Sequence, residues 1–458
     1  MQEITISSEE LVTALLKISE KEQVCLLDSC GVSHLDSKFL IAGIKPLEVF
    51  EISDDNYERT LEFLDEKLSN DKLFAFFTMS YEFGLKINRI KSRHSSDETD
   101  LFLALFDSMI IHNYNTKKTY LHGNENRFDG IKSSLLDFQN LQDFPDFQNF
   151  QDFQDSKIST NFTHAEYLEK IEEIKEFIRC GDTYQTNLTQ QITAELPEIL
   201  TPQQIFYNLR KNHPAPFAAF LQRQNSTVVS ASPERFFKVQ SPKSKVQSPI
   251  ISTSPIKGTR PRGKTLAEDE KLKKELLSSE KDRAENVMIV DLLRNDIGRI
   301  CKFGSVEVEK LCDLETHPTL FHLTSTINGN LQENIKFSDI IKAVFPCGSI
   351  TGAPKISTMR IIDNLETAPR GLSMGAIGFK IQDSRFQIQN SEKILNLESE
   401  ILNFTIDLSV AIRTMTIKNN RATFNVGGGI LIDSEPKKEY EETLIKAKAL
   451  LKAINGRL

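Results

Sequence analysis

The chain has 458 residues, a net charge of −8 and 39% hydrophobic content. That length suits two domains, or one large domain with an appended half, and mild acidity without a basic cluster argues against nucleic acid as the main partner. Met1-Gln2-Glu3-Ile4 lacks a basic stretch followed by an apolar one, so no secretory signal is expected, and no apolar run reaches the length of a membrane span. Cys25, Cys30, Cys180, Cys301, Cys312 and Cys347 show no CxxC or zinc-like spacing and read as reduced thiols of a cytoplasmic protein.

Residues 1–155 read as a first unit. Ser7-Ser8-Glu9-Glu10 before an apolar run predicts a helix start. Val24–Ser29 and Phe39–Gly43 predict strands. A polar helix follows around Asn56–Leu73, then an apolar stretch ending at Ser80-Tyr81-Glu82-Phe83-Gly84. Leu101–His112 predicts one further strand, with Tyr114-Asn115-Thr116 as its turn. Residues 137–155 repeat Phe, Gln, Asn and Asp. Such a repeat is read as a linker or polar helix edge at a domain boundary.

Residues 156–458 form the second unit. Thr163-His164-Ala165-Glu166 is a capping-box pattern opening a helix through Ile178. Gly181 ends it, and Asp182–Leu188 starts a strand. Ser230–Val239 and Ile250–Ile256 read as a hairpin whose tip duplicates Val239-Gln240-Ser241-Pro242 as Val246-Gln247-Ser248-Pro249. Thr265–Asp296 predicts one long charged helix. Gly375–Ile381, Thr405–Thr416 and Arg421–Val426 alternate apolar and polar residues, as in an antiparallel sheet, with a polar insert around Asp383–Asn403.

Several stretches carry chemistry. Ser254-Pro255-Ile256-Lys257-Gly258-Thr259 frames a lysine between a proline-fixed run and a glycine. Taken alone it is a loop with a solvated lysine, and a chemical role requires a neutral amine. Asp282 and Glu285 lie three apart on one helix face, as do Glu439 and Glu442. Such pairs are ordinarily solvated, yet a hard divalent cation such as Mg²⁺ would relieve their repulsion. Gly427-Gly428-Gly429 reads as a close backbone approach to a ligand or as a bulge. Pro346–Lys355 is a small-residue loop before a helix, suited to an anion but without P-loop spacing. Arg413, inside an apolar strand, calls for a carboxylate, either an internal one or a substrate acid. Lys446 lies four residues after Glu442, and His322 sits among apolar neighbours as a packed core histidine would. Together they describe a metal-assisted site for a small, multiply carboxylated substrate.

Four blocks in one order, Ser232-Pro233-Glu234-Arg235-Phe236, Lys281–Arg299, Gly348–Lys355 and the C-terminal acidic helix, resemble the chorismate-utilising enzymes over nearly all of residues 160–455. The resemblance is looser in Leu26–Ser29 and Ser80–Glu82. It implies an α+β fold of two large, mostly antiparallel sheets packed as a sandwich with helices outside. Pro-Ile-Lys-Gly-Thr is similar to the branch that aminates chorismate at C4, where anthranilate synthases carry alanine in place of the lysine. By that resemblance Lys257 attacks C2 of chorismate covalently, Glu234 moves the proton, Glu285 and Glu442 hold Mg²⁺, and Asp282 and Glu439 act through water. Arg413, Gly427, Gly428, Gly429, Thr351, His322 and Lys446 match positions around the substrate's carboxylates and leaving oxygen.

Departures from the family pattern are visible too. Ser373 stands where members often have Tyr or Trp. Leu27-Asp28-Ser29 and Pro214–Phe217 only loosely resemble a tryptophan pocket, and the inserts at 137–155, 240–249 and 383–403 have no counterpart. No Gly-Xaa-Cys-Xaa-Gly elbow occurs, so ammonia is expected from solution or from a separate glutamine amidotransferase subunit. Rival readings are an anthranilate synthase large subunit, a dual-use enzyme, and a catalytically silent ligand sensor.

Overall fold

The computed structural model describes residues 1–32, 38–70, 72–137, 155–240, 248–316, 320–381 and 406–457. The repeat at 137–155 and the inserts at 240–249 and 383–403 lie almost wholly outside them. Among the described residues twelve strands build one antiparallel sheet and ten build another. The first runs Gln2–Ile4, Lys118–Gly123, Ser108–Asn113, Phe39–Ile44, Val24–Asp28, Phe217–Gln222, Thr227–Ser232, Thr414–Lys418, Arg421–Ile430, Gln185–Glu195, Gly352–Ala353, with Lys157–Thr160 also on Gln185–Glu195. The second runs Ile256–Pro261, Leu320–Asn330, Ile250–Ser254, Arg235–Gln240, Ile406–Val410, Ala376–Lys380, Phe74–Met79, Leu101–Phe106, Glu48–Ile52, with Glu307–Thr316 on Leu320–Asn330. Strands from before and after residue 155 are neighbours in both sheets: Val24–Asp28 pairs with Phe217–Gln222, and Phe74–Met79 with Ala376–Lys380.

The period-2 alternation of side chains explains why so many strands read as continuous apolar runs. Leu40 and Ala42 pack with the helices outside the first sheet, whereas Phe39 and Ile41 point between the sheets. Phe74 and Phe76 meet them from the second sheet, while Ala75 and Phe77 face that sheet's own helices. The central strands of both sheets are therefore dry on both faces, giving a sandwich with helices outside. Each fully buried Phe contributes roughly 2–3 kcal/mol of transfer free energy to it.

Three expected strands turn out to be pairs of strands that cross from one sheet to the other. The predicted strand Leu101–His112 breaks at Asp107, whose carboxylate accepts from Arg127 Nη1 and Asn124 Nδ2, both at 2.8 Å. Ser230–Val239 breaks at Pro233, which has no amide to donate, so Thr227–Ser232 stays in the first sheet and Arg235–Gln240 in the second. Thr405–Thr416 breaks before Arg413, which takes a positive φ of 47°. The last two crossings are hydrogen-bonded to each other: Val410 N donates to Glu234 O and Ala231 N to Arg413 O, each at 3.0 Å. Glu234 and Arg413 thus sit where the chain changes sheet.

The predicted caps at Ser7 and Thr163 are both full capping boxes, opening Ser8–Ile18 and His164–Arg179. The charged stretch Thr265–Asp296 forms two helices, Leu266–Ser278 and Glu280–Gly298. Ser279 separates them by adopting extended backbone and accepting from Asp282 N. No helix among the described residues is long and apolar enough to cross a membrane.

Glu82, in the helix Tyr81–Ile87, is buried, with Oε1 accepting from Arg370 N at 2.8 Å and Oε2 unpartnered. Burial pushes its carboxyl up from 4.5 to about 7. The folded state therefore holds this proton more tightly than the unfolded chain. Its contribution is complete below about pH 4.5 and is lost as pH rises through about 7, at most about 3 kcal/mol. Glu82→Gln should remove that fall. Urea unfolding at about pH 5 and pH 8 should show wild type losing more stability than the variant between the two; equal losses would contradict the assignment.

Candidate active site

Lys257 lies in the strand Ile256–Pro261, not in a loop. The register against Leu320–Asn330 slips between Lys257, opposite Leu323, and Thr259, opposite His322. The extra residue is Gly258, at φ +82°, so this is a bulge of the kind that re-aims a neighbouring side chain. A Cβ on Gly258 would stand 3.0 Å from both Asp282 Cβ and Leu276 Cδ1, so close packing also demands glycine here. The bulge leaves Lys257 half-buried, with Nζ 3.5 Å from Ser349 O. Beyond it, Thr259 Oγ1 and His322 Nδ1 are 2.9 Å apart.

Glu234 faces this amine from the crossing after Pro233. It is buried, its backbone amide meets Ser232 Oγ, and its Oε1 has no partner. Burial pushes its pKa up; the Ser349 hydroxyl, the Lys257 ammonium and the Ile256 amide pull the other way without cancelling the rise. A carboxylate that holds its proton unusually well beside an amine is suited to exchanging a proton with it.

The acidic pairs come from the first turns of Glu280–Gly298 and from the helix Pro436–Ala453. Lys281 Nζ lies between them, 4.0 Å from Glu285 and 3.7 Å from Glu439. Glu285 is raised by burial and by Asp282 and Glu439, against the pull of Lys257 and Lys281. Glu439 also accepts from Ser434 Oγ at 2.7 Å. For Glu442, partial burial works upward, but Lys446, at 2.8 Å, with Lys281 and Lys257 brings it below its ordinary value. Asp282 turns instead to Arg260 Nη2 at 3.1 Å.

Among the described residues no three His, Cys, Asp or Glu side chains converge as a metal site by themselves. The donor chemistry nonetheless fits Mg²⁺: it takes oxygen donors, needs only one or two carboxylates, and draws its remaining ligands from water and substrate. Repulsion among Glu285, Asp282 and Glu439 is what such an ion would relieve.

Of the groups expected to hold anions, the glycine segment meets this carboxylate edge through Lys446. Gly427–Gly429 lie inside the strand Arg421–Ile430, not after a strand as expected. A Cβ on Gly427 would strike Leu188 O and one on Gly429 would strike Gln185 Nε2, while one on Gly428 would point at Lys446 Nζ, 3.4 Å from it. Lys446 also donates to Gly427 O at 2.9 Å. Thr351 is fully buried and donates to Cys347 O at 3.1 Å, and its own carbonyl accepts from Asn187 N at 2.8 Å. Arg413 is half-buried, and burial draws its pKa down; among the described residues no carboxylate offsets that shift. His213 feels both Arg413 and Lys452 as neighbouring cations.

Sequence reading passed over Ser349, Lys281 and His213. The first two lie inside the recognised blocks and were legible as neighbours: Ser349 two residues before Thr351, Lys281 four before Glu285. Nothing in the chain marked His213.

Leu27, Asp28 and Ser29 do meet Pro216 and Phe217 around one cavity between the sheets. Its free space is about 60 Å³, well below the ~300 Å³ at the small end of ligand pockets. Arg235, paired with Asp407 at 2.9 Å and stacked on Phe217, lines it as well.

With this geometry in place, comparison with known proteins defines the class. Residues 24–388 and 402–452 match the family described as chorismate binding enzyme, and the chain belongs to that family. Over 281 residues it is 41% identical to a probable chloroplastic aminodeoxychorismate synthase of Oryza sativa subsp. japonica, covering 61% of this chain and 28% of the relative. It is 41% identical to an aminodeoxychorismate synthase of Streptomyces griseus (61% and 35% covered), and 39% identical to anthranilate synthase component 1 of Acetivibrio thermocellus (61% and 51% covered). The matched stretch thus spans about half or less of these relatives. Anthranilate synthase component I of Streptococcus pneumoniae superposes with a TM-score of 0.73 at 26% identity, over 92% of this chain and 93% of that one. The menaquinone-specific isochorismate synthase of Escherichia coli, at 15% identity and TM-score 0.70, shares the fold.

Proposed function

We propose that this chain aminates chorismate at C4, giving 4-amino-4-deoxychorismate, the precursor of p-aminobenzoate for folate. The observation that carries the reading is Lys257, aimed by the Gly258 bulge at Ser349 and flanked by the buried carboxyl of Glu234. Glu234 takes a proton from the Lys257 ammonium. The free amine then attacks C2 of the ring, the double bonds shift, and the 4-hydroxyl leaves with a proton. Ammonia adds at C4, the double bonds shift back, and the lysine is expelled. Two such shifts place the new amine para to the carboxylate. Without the lysine, ammonia attacks C2 itself and the ortho product follows.

Arg413 and the Gly427–Gly429 backbone hold the substrate's carboxylates, Lys446 helps position them, and Thr351 and His322 lie toward the leaving oxygen. A Mg²⁺ on Glu285 and Glu442, with Asp282 and Glu439 reaching it through water, would clamp the ring carboxylate and stabilise charge as the hydroxyl departs. Ammonia comes from solution or from a separate glutamine amidotransferase, in the cytoplasm, where six free thiols stay reduced. Whether tryptophan binds beside Leu27–Ser29, as regulator or as structural filler, stays open; the cavity there, about 60 Å³, would have to widen to admit it.

The similarity to anthranilate synthase components supports a second reading, synthesis of anthranilate or of both products. Incubation with chorismate, Mg²⁺ and ammonium, with and without an aminodeoxychorismate lyase, separates the two. p-Aminobenzoate that appears only with lyase is the expected result; fluorescent anthranilate without lyase would overturn it.

A further inference from the structure

One edge of the strand Gln185–Glu195 is only partly occupied by other strands. Gly352–Ala353 covers it at Gln185 and Thr186, and Lys157–Thr160 covers it from Ile192 onward. Between them the backbone groups need partners. Asn187 N reaches Thr351 O, and Gln191 N reaches Asn161 Oδ1 at 2.7 Å. The rest of the gap is closed by two side chains from another part of the fold. Glu366 Oε1 accepts from Thr189 N at 2.7 Å and from Thr189 Oγ1 at 2.9 Å, while Arg370 Nη2 donates to Asn187 O at 2.6 Å. Glu366 and Arg370 are themselves a bidentate pair, at 2.9 and 2.7 Å, and both are buried. They take the place of a missing strand.

That gap lies directly behind the candidate site. Asn187, Leu188 and Thr189 are the register partners of Gly429, Gly428 and Gly427. Arg370 Nη1 also donates to Ile350 O at 2.9 Å, one residue before Thr351. From Thr189 the contacts continue to Asn425 Nδ2 at 3.2 Å, and Asn425 N meets Ser373 Oγ at 3.0 Å. One ion pair therefore braces both the glycine segment and the Thr351 loop, which come from distant parts of the chain.

We infer that Glu366 and Arg370 are positioning residues for substrate binding, holding the Gly427–Gly429 backbone and Thr351 in register with each other without touching the substrate. The inference rests on the chorismate reading above. A solely structural pair would change how much protein folds but not how the folded protein binds. Losing charge-assisted hydrogen bonds that fix a ligand-facing backbone should raise chorismate KM about tenfold, with kcat and the ammonium KM changing far less.

The test compares Glu366→Gln and Arg370→Lys with Arg223→Lys, which weakens the largely buried Arg223–Glu98 pair, bonded to Thr78 and Thr416 and not to the edge of Gln185–Glu195. Chorismate KM and kcat are measured on folded protein, and chorismate Kd by equilibrium dialysis. The expected result is a rise in chorismate KM and Kd for both site variants and none for Arg223→Lys. If Glu366→Gln does not fold, Arg370→Lys carries the comparison. Unchanged chorismate affinity in a folded site variant, or the same rise in Arg223→Lys, would overturn the inference. Absence of amination by wild type would refute the proposed reaction instead, and the dialysis arm would still decide this one.

Discussion

Lys257→Ala should abolish the para-aminated product, lowering its rate by about 10³-fold or more, as expected when a covalent nucleophile is lost. The substitution also deletes the proton partner of Glu234. It should do little to the fold, because Lys257 is half-buried and its side chain's one hydrogen bond among the described residues, to Ser349 O, is a long 3.5 Å. The strand register belongs to Gly258 and its neighbours, not to the lysine side chain. With the amine gone, C2 is free for direct attack by ammonia, so a trace of ortho product is the expected residue of activity. Product analysis by chromatography at saturating ammonium checks this. Para-product turnover at the wild-type rate would remove the lysine from the chemistry.

Glu442→Gln is expected to weaken the Mg²⁺ dependence, lowering the rate at limiting metal by about 10²-fold, with partial recovery as Mg²⁺ is raised. The variant keeps the size of the side chain and loses the charge that both Lys446 and the ion need. Chelation of Mg²⁺ from wild type should have the same sign and a larger effect. Asp282→Asn should cost less, because Asp282 is already engaged by Arg260. A metal titration of Glu442→Gln that overlays wild type would contradict the ligand assignment.

How much of this was legible depends on whether a feature is local. The caps at Ser7 and Thr163 follow from spacing along the chain and the structure has them there, and the apolar runs do fall in strands. Sheet crossings were not legible. At Asp107, Pro233 and Arg413 the buried character continues across the break, since the central strands of both sheets are buried on both faces and the pattern gives no sign of a change of partner. Ser279 was misread for a different reason: it lies among good helix formers, and only its cap to Asp282 N separates the two helices. Lys257 and Glu234 stand out along the chain through the motifs that hold them, but their shared approach to Ser349 exists only in the folded chain. The Glu366–Arg370 pair was invisible, because its purpose is to fill a gap between strands that only tertiary structure creates.

The central claim, that the Lys257 amine bonds to the ring, can be measured directly. Wild type is mixed with chorismate and Mg²⁺ without ammonium, quenched, digested and weighed by mass spectrometry. The account predicts that the peptide containing Lys257 gains the mass of chorismate less one water, and that ammonium discharges it to the aminated product. An unmodified Lys257 peptide in protein that turns over chorismate once ammonium is added would contradict it.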